Sequence, residues 1–315
     1  METGVPKEKR LILWFEELDK GDVPLVGGKC ANLGELIRAG IPVPPGFAVT
    51  AYAYKRFIEE TGIKDRIYKI IENTVKEKKP EEYQEASAKI RQLIESTKMP
   101  EDIEQAIRTA YTELSKRVGK DAEFVAVRSS ATAEDLPGAS FAGQQETYLN
   151  VKGADEVVKM VQKCWSSLFT PRAIFYREEK GFAHEKVLIS VAVQKMVNSK
   201  SAGVMFTIHP VTGDRNKIVI EGNWGLGEAV VSGSVTPDEW IVDKNTLEVL
   251  EVRTAEKTVE YIRDPETGKT IHAEVPPERR SIPCLTEEEV KKLAELAVKI
   301  EKHYGTPQDI EWAID

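Results

Sequence analysis

The sequence predicts an α+β chain in two lobes built on antiparallel sheets, with a helical insert in the N-terminal lobe. Three patterns lead to that class. Residues 51–118 are helical in period, rich in Lys and Glu, and punctuated by Pro80 and Pro100. Short apolar runs joined by tight turns recur over 124–151, 189–208 and 217–262, as antiparallel strands do. An amphipathic helical segment, 286–304, then precedes a last alternating run over 309–314.

Composition narrows the function classes. At 315 residues the chain can form one large domain or two lobes with an ample core. Its 41% hydrophobic and 30% charged residues are those of a globular protein. The net charge of −8 argues against a nucleic-acid partner. No apolar run is long enough to span a bilayer, and no signal peptide precedes Leu11, so no membrane partner is expected. Cys30, Cys164 and Cys284 form no C-x-x-C pair, which suggests neither a zinc site nor a disulfide framework. A cytoplasmic location fits.

In chain order, residues 1–10 read as a flexible tail and Leu11–Phe15 as a first strand. Gly27 and Gly28 precede a helix whose apolar face includes Leu33, Leu36 and Ile37, with Lys29 at its start. A helix N-terminus with a lysine suits an anion; a glycine-capped surface helix is the plainer reading. The stretch is not a Walker A loop. Helices over 51–61, 65–78, 81–97 and 101–118 suggest packing and no chemistry.

The segment from Phe124 to Asn150 carries the densest signal. A buried strand, Phe124–Val127, leads into Arg128, Ser129 and Ser130. A loop of small residues, Pro137 to Gly143, separates it from a returning strand over 146–151. An arginine fork beside hydroxyls and small residues can hold phosphates. A hairpin with a loop that merely happens to be small is the alternative. Helix 154–169 follows, with Val157, Val158, Val161 and Trp165 at helical spacing; Arg172 beyond it reads mainly as structural.

Residues 189–197 and 201–208 read as two strands joined by the turn Asn198-Ser199-Lys200, and His209 before Pro210 as structural. A strand over 217–220 enters Glu221-Gly222-Asn223-Trp224-Gly225-Leu226-Gly227-Glu228. Strands 239–244, 247–255 and 257–262 suggest a meander, and Thr286 with Glu289 a capping box. In a strand over 309–314, Asp309 and Glu311 share one face and Ile310, Trp312 and Ile314 the other. Paired carboxylates suit Mg²⁺.

Five stretches together resemble one family. They are G-G-K-x-A-x-L-G-E at 27–35, V-R-S-S-A-T-A-E-D with S-F-A-G-Q-x-E-T at 127–147, W-x-S-L-F-x-x-R-A at 165–173, E-x-x-W-G-L-G-E at 221–228 and P-Q-D-I-E-W at 307–312. They resemble the N-terminal nucleotide-binding domain, of ATP-grasp type, of the pyruvate, water dikinase and pyruvate, phosphate dikinase family. The resemblance covers about Trp14 to the last residue. It implies ATP in a cleft between lobes spanning 11–190, with the insert at 51–118, and 191–315. Lys29 and Arg128 are then the catalytic clamp on the phosphates, with Ser129, Ser130 and Gln144 beside the nucleotide. The backbone of Gln194, Lys195, Met196 and Val197 would read the adenine. Glu221 and Glu228 would touch ribose or support the metal, with plain solvation an equal reading. Asp309 and Glu311 would hold Mg²⁺.

The implied chemistry is pyrophosphoryl transfer from ATP to a carrier histidine, with pyruvate the final acceptor and AMP released. His184, His209, His272 and His303 lack the family's T-S-H-A context, and the family's Q-x-R strand lies beyond Asp315. The expectation is an ATP-binding module, its second lobe incomplete at the C-terminus, served by a phosphohistidine carrier domain and a substrate barrel in cis or in trans. Relatives acting on phosphate, phenol or rifamycins are alternatives. So is a non-catalytic nucleotide sensor, against which the intact Asp309 and Glu311 argue.

Overall fold

The computed structural model describes residues 4–132 and 146–315, so Gln144 and the Pro137–Gly143 loop lie outside the described residues. The chain divides into two units. Unit 1 runs up to Arg38 and over Pro42–Met196, and unit 2 combines Ala39–Ile41 with Val197–Asp315.

Unit 1 contains β1 (Ile12–Trp14), α1 (Val23–Arg38), β2 (Gly46–Val49), α2 (Ala51–Glu60), α3 (Ile63–Thr74), α4 (Pro80–Ser96) and α5 (Glu101–Arg117). It continues with β3 (Val125–Ala131), β4 (Thr147–Val151), α6 (Ala154–Ser166), α7 (Pro171–Lys180) and β5 (Ile189–Lys195). The strands form one antiparallel sheet in the order β1-β2-β5-β3-β4. Its two faces are covered differently. Phe47, Val49, Val125, Val127, Val191 and Val193 pack among the helices of the insert and α6, where Trp165 stacks on Phe57 at 4.8 Å between ring centres. Ala48 and Ala192, on the other face, pack under α1 with Val26, Cys30 and Ala31. Burial on both faces leaves most side chains of β3 and β5 out of solvent, polar Ser129, Ser130 and Ser190 included.

Unit 2 contains β6 (Ser201–Phe206), β7 (Lys217–Trp224), α8 (Glu228–Val231), β8 (Asp238–Asp243), β9 (Val249–Arg253), β10 (Val259–Arg263), β11 (Thr270–Glu274), α9 (Glu287–Tyr304) and β12 (Asp309–Ile314). An antiparallel five-stranded sheet runs β12-β6-β7-β8-β9, and β10 pairs with β11 as a separate ribbon. One face of the large sheet, with Met205, Ile220, Trp240 and Trp312, packs on Val290, Leu293, Ala294 and Ala297 of α9. That helix starts at the expected capping box, where Glu289 N–H donates to Thr286 Oγ1 at 3.2 Å and Thr286 N–H to Glu289 Oε1 at 2.8 Å.

Several expectations require correction. The strands at 189–197 and 201–208 are not a hairpin: β5 lies between β2 and β3, whereas β6 lies between β12 and β7. The meander ends after β9, because β10 leaves the sheet to pair with β11, a strand the sequence pattern did not show. The tail is tied down where it is described: Lys7 Nζ pairs with Asp22 at 2.7 Å and donates to the Glu17 carbonyl at 2.9 Å. A short turn of α1 precedes Gly27, which breaks the helix, so its main stretch follows the first glycine, close to the expected start. Small residues (Cys30, Ala31, Gly34) make its buried face, while Leu33, Leu36 and Ile37 are only half-buried.

Candidate functional site

In unit 1 the site is built by a steric coincidence between α1 and β3. Helix α1 kinks at Gly27, which takes φ 77° and ψ 167°. A Cβ there would overlap the hydroxyl and carbonyl oxygens of Ser130. Only glycine satisfies both demands, the left-handed backbone and the absent side chain. Ser130 Oγ closes the contact by donating to the Val26 carbonyl at 2.8 Å. The glycine turn is thereby seated on the end of β3, and Lys29 follows it by two residues.

Strand alternation puts Arg128 on the same face as Ser130, the face that α1 covers. Arg128 stands across from Ala192 on β5 and Thr147 on β4, and Ser130 across from Ser190. The buried Cys30 thiol lies between these groups. Burial pushes it up to about 11, while the Ser130 and Ser190 hydroxyls and the Arg128 and Lys29 charges each pull it back. Lys29 and Arg128 thus both act on one buried thiol. Lys29 and Arg128 are half-buried, whereas Ser129 and Ser130 are buried. Ser129 faces the helical side, and its N–H donates to the Glu146 carbonyl at 3.2 Å. Arg172, by contrast, is exposed in the first turn of α7.

At the end of β5, Gln194 Nε2 donates to the Pro44 carbonyl at 3.1 Å. The Lys195 N–H donates to Pro45 at 2.9 Å and the Met196 N–H to Phe124 at 3.0 Å. An adenine edge requires one donor and one acceptor from the backbone. The amides of Lys195 and Met196 are already engaged within unit 1.

In unit 2 the expected carboxylates lie on β12. Trp312 settles the strand. Its indole crosses Gly222, where a Cβ would come within 2.7 Å of the ring, and its Nε1 donates to the Val204 carbonyl at 3.1 Å. With Trp312 on the α9 side, Asp309 and Glu311 take the opposite face, and both are exposed. Register then reveals a row that the sequence did not: Glu311 stands across from Val204, Val204 from Glu221, Glu221 from Glu239, and Glu239 from Arg253. Burial raises the Glu221 carboxyl above its usual range, and the Glu239 charge adds to that, opposed by Arg253. Arg253 Nη2 pairs with Glu239 at 2.9 Å. Glu228 is exposed at the start of α8. Among the described residues no group of three or more His, Cys, Asp or Glu is arranged to hold a metal ion alone. Two oxygen donors on one strand face nevertheless fit Mg²⁺, which keeps water and phosphate ligands beside one or two carboxylates.

The turn between Glu221 and Glu228 is held from below. Asn223 Nδ2 donates to Val259 at 2.9 Å and the Leu226 N–H to Tyr261 at 2.7 Å. The histidines are occupied otherwise. His209 Nδ1 accepts from Val211 and Thr212 N–H groups, both at 3.2 Å, as its structural reading implies. His184 pairs with Glu178 at 2.7 Å, and His272 stacks on Tyr261. None of the described helices is long and apolar enough to cross a membrane.

A family described as pyruvate phosphate dikinase, AMP/ATP-binding domain, matches residues 23–315. A protein described as probable phosphoenolpyruvate synthase from Staphylothermus marinus is 57% identical over 334 residues, covering 99% of this chain and 40% of that protein. A second, from Methanothermobacter thermautotrophicus, is 54% identical over 99% of this chain and 45% of its own length. The phosphoenolpyruvate synthase of Aeropyrum pernix is 52% identical over 98% of this chain and 40% of its own. The chain therefore spans less than half the length of these relatives. With a match over nearly its whole length, the chain belongs to the pyruvate phosphate dikinase AMP/ATP-binding domain family.

Proposed function

We propose that this chain is the ATP-binding part of a pyruvate, water dikinase of ATP-grasp type, working on Mg²⁺-ATP. The observation that carries the reading is the Gly27 turn seated on Ser130, with Lys29 two residues after the turn and Arg128 two residues before Ser130 on β3. A fixed pair of cations, one of them a bidentate fork, is what a transferring polyphosphate requires. In this reading Lys29 and Arg128 hold the phosphates and stabilise the charge that develops as the bond breaks. Ser129 and Ser130 support them, with Gln144 alongside. The engaged amides of Lys195 and Met196 shift the adenine donor to Val197, leaving Gln194 as a brace. Glu221 and Glu228 face the ribose or back the metal.

Asp309 and Glu311 would hold Mg²⁺, which neutralises phosphate charge when bound. The remainder extends the resemblance to the dikinase family, and the relatives described as phosphoenolpyruvate synthases agree with it. Pyrophosphoryl would pass from ATP to a histidine on a carrier domain, releasing AMP. Phosphate would then be lost to water, and the remaining phosphoryl group would reach pyruvate on a further domain. Both partner domains would act in cis or in trans. The three buried free thiols suit a reducing cytoplasm.

Calorimetry of the chain with ATP and Mg²⁺ tests the reading. Saturable heat with a stoichiometry near one is expected. No heat and no thermal shift at millimolar ATP would overturn it.

A further inference from the structure

The helical insert reads from sequence as packing alone, yet one of its charges reaches the β3–β4 strand end. Arg91 lies on α4. Its Nη2 pairs with Glu146 Oε1, and its Nε donates to Ser166 Oγ of α6 at 3.3 Å. Glu146 precedes β4, and its other carboxylate oxygen accepts from the Tyr148 hydroxyl. Both oxygens of Glu146 are therefore held, and the pair is only about a quarter exposed, at 25% and 28%. The main chain of Glu146 is engaged as well: its carbonyl accepts from the Ser129 N–H at 3.2 Å. Ser129 adjoins Arg128, whose strand partner on β4 is Thr147, the residue after Glu146. A continuous chain of contacts thus runs from α4 through Glu146 to the backbone that carries Arg128.

We propose that Arg91 is a positioning residue for phosphate binding, acting through Glu146 on the end of β3. This rests on the nucleotide reading above and extends it to an element that touches no nucleotide in that reading. The physics is that of a braced strand end. A carboxylate held on both oxygens cannot rotate into water, so its main-chain carbonyl stays aimed at Ser129. Removing Arg91 leaves a part-buried charge with one partner fewer, and the cost of that favours swinging out. Arg128 then samples more orientations, and a bidentate contact is sensitive to them. Lysine at 91 can still reach Glu146 but cannot also bind Ser166, so it should restore only part of the effect.

The test compares wild-type chain with Arg91→Met, Arg91→Lys and Glu146→Gln, using calorimetric affinities for Mg²⁺-ATP and for adenosine, together with amide hydrogen exchange. Arg91→Met should weaken ATP binding by about five- to tenfold, leave adenosine binding unchanged and speed exchange at Ser129. Arg91→Lys should fall between. Glu146→Gln keeps one acceptor oxygen for Arg91 and puts an amide that can only donate where the Tyr148 hydroxyl donates, so it should also fall between. Equal loss of ATP and adenosine would mean that Arg91 only stabilises the fold, and unchanged ATP affinity would mean that the brace does not reach Arg128; either overturns the proposal. Should Arg91→Met not fold, the Arg91→Lys and Glu146→Gln comparison decides by the same criteria. A wild-type chain that binds no ATP would overturn the nucleotide reading itself, and this extension with it. That outcome is distinguishable because it appears before any substitution is made.

Discussion

The two candidate sites, one in each unit, are built in opposite ways. In unit 1 the groups converge by close packing, with a glycine lying against a serine backbone, a buried thiol beneath, and α1 covering the sheet face. In unit 2 the carboxylates sit on an open strand face and owe their placement to the reverse side, where Trp312 crosses Gly222 and packs with α9. The basic site is thus rigid by steric exclusion, and the acidic site is positioned by what it faces away from. Substitutions in the first should therefore damage fold and binding together, and substitutions in the second should damage binding alone.

The sharpest break in that contrast is Gly27→Ala. It imposes a left-handed strain and a collision with Ser130 at once. A loss of about 2–4 kcal/mol in urea unfolding is expected, together with loss of measurable ATP binding. A stable variant that still binds would show that the turn has room to move and that close packing does not set the site. Next in size is Arg128→Ala, which removes charge-assisted bonds worth roughly 1.5–3 kcal/mol each and should weaken ATP binding about tenfold or more. Arg172→Ala, at an exposed position on α7, should change affinity and stability by less than about 0.5 kcal/mol. Calorimetry on the two variants decides the matter, since equal effects would mean that the phosphate site is misplaced.

The same contrast explains what could be read in advance. Lys29, Arg128 and Ser130 stood out in the sequence through the motifs they share with the family, whereas the steric reason for Gly27, its contact with Ser130, appears only in three dimensions. The faces of β12 were legible because Trp312 and its neighbours alternate strictly. The parting of β5 from β6 was not, since a strand's partner is a tertiary fact and Asn198-Ser199-Lys200 suits a hairpin as well as a crossing. Leu33 and Ile37 do pack against the core under α1, but the residues that seat it most deeply, Cys30, Ala31 and Gly34, did not stand out because close approach of backbones favours small side chains. Glu239 and Arg91 were missed for a related reason. Both matter only through register or through a partner 55 positions away, as Arg91 does through Glu146.

The third expectation concerns the acidic side. Asp309→Asn and Glu311→Gln should each weaken Mg²⁺-ATP binding by about three- to tenfold, with stability unchanged because both side chains are exposed. Removing Mg²⁺ with a chelator should abolish the difference between variants and wild type. A loss that persists without Mg²⁺ would assign the two carboxylates to the nucleotide rather than to the metal.

The smallest effect expected is a pH signature from Glu221. Its carboxyl is raised by burial first and by the facing Glu239 second, with Arg253 pulling the other way. A carboxyl whose folded pKa exceeds its unfolded value holds its proton more tightly in the native state. Its stabilising contribution is therefore full below the unfolded value of about 4.3 and is lost as pH rises through the folded one. Glu82, Asp102, Asp243 and Glu289 are shifted down instead, so their contributions grow over the same rise. The raw pH profile therefore mixes both signs, and the informative quantity is the difference between wild type and Glu221→Gln. Urea midpoints should show the variant gaining on wild type as pH climbs from the acid side towards neutrality. Arg253→Ala should enlarge that gap, because it removes the charge that opposes the shift and frees Glu239 to repel. A difference that is flat with pH would mean that Glu221 titrates as an ordinary surface acid, and the open face of the unit 2 sheet would then be wetter than its register row suggests.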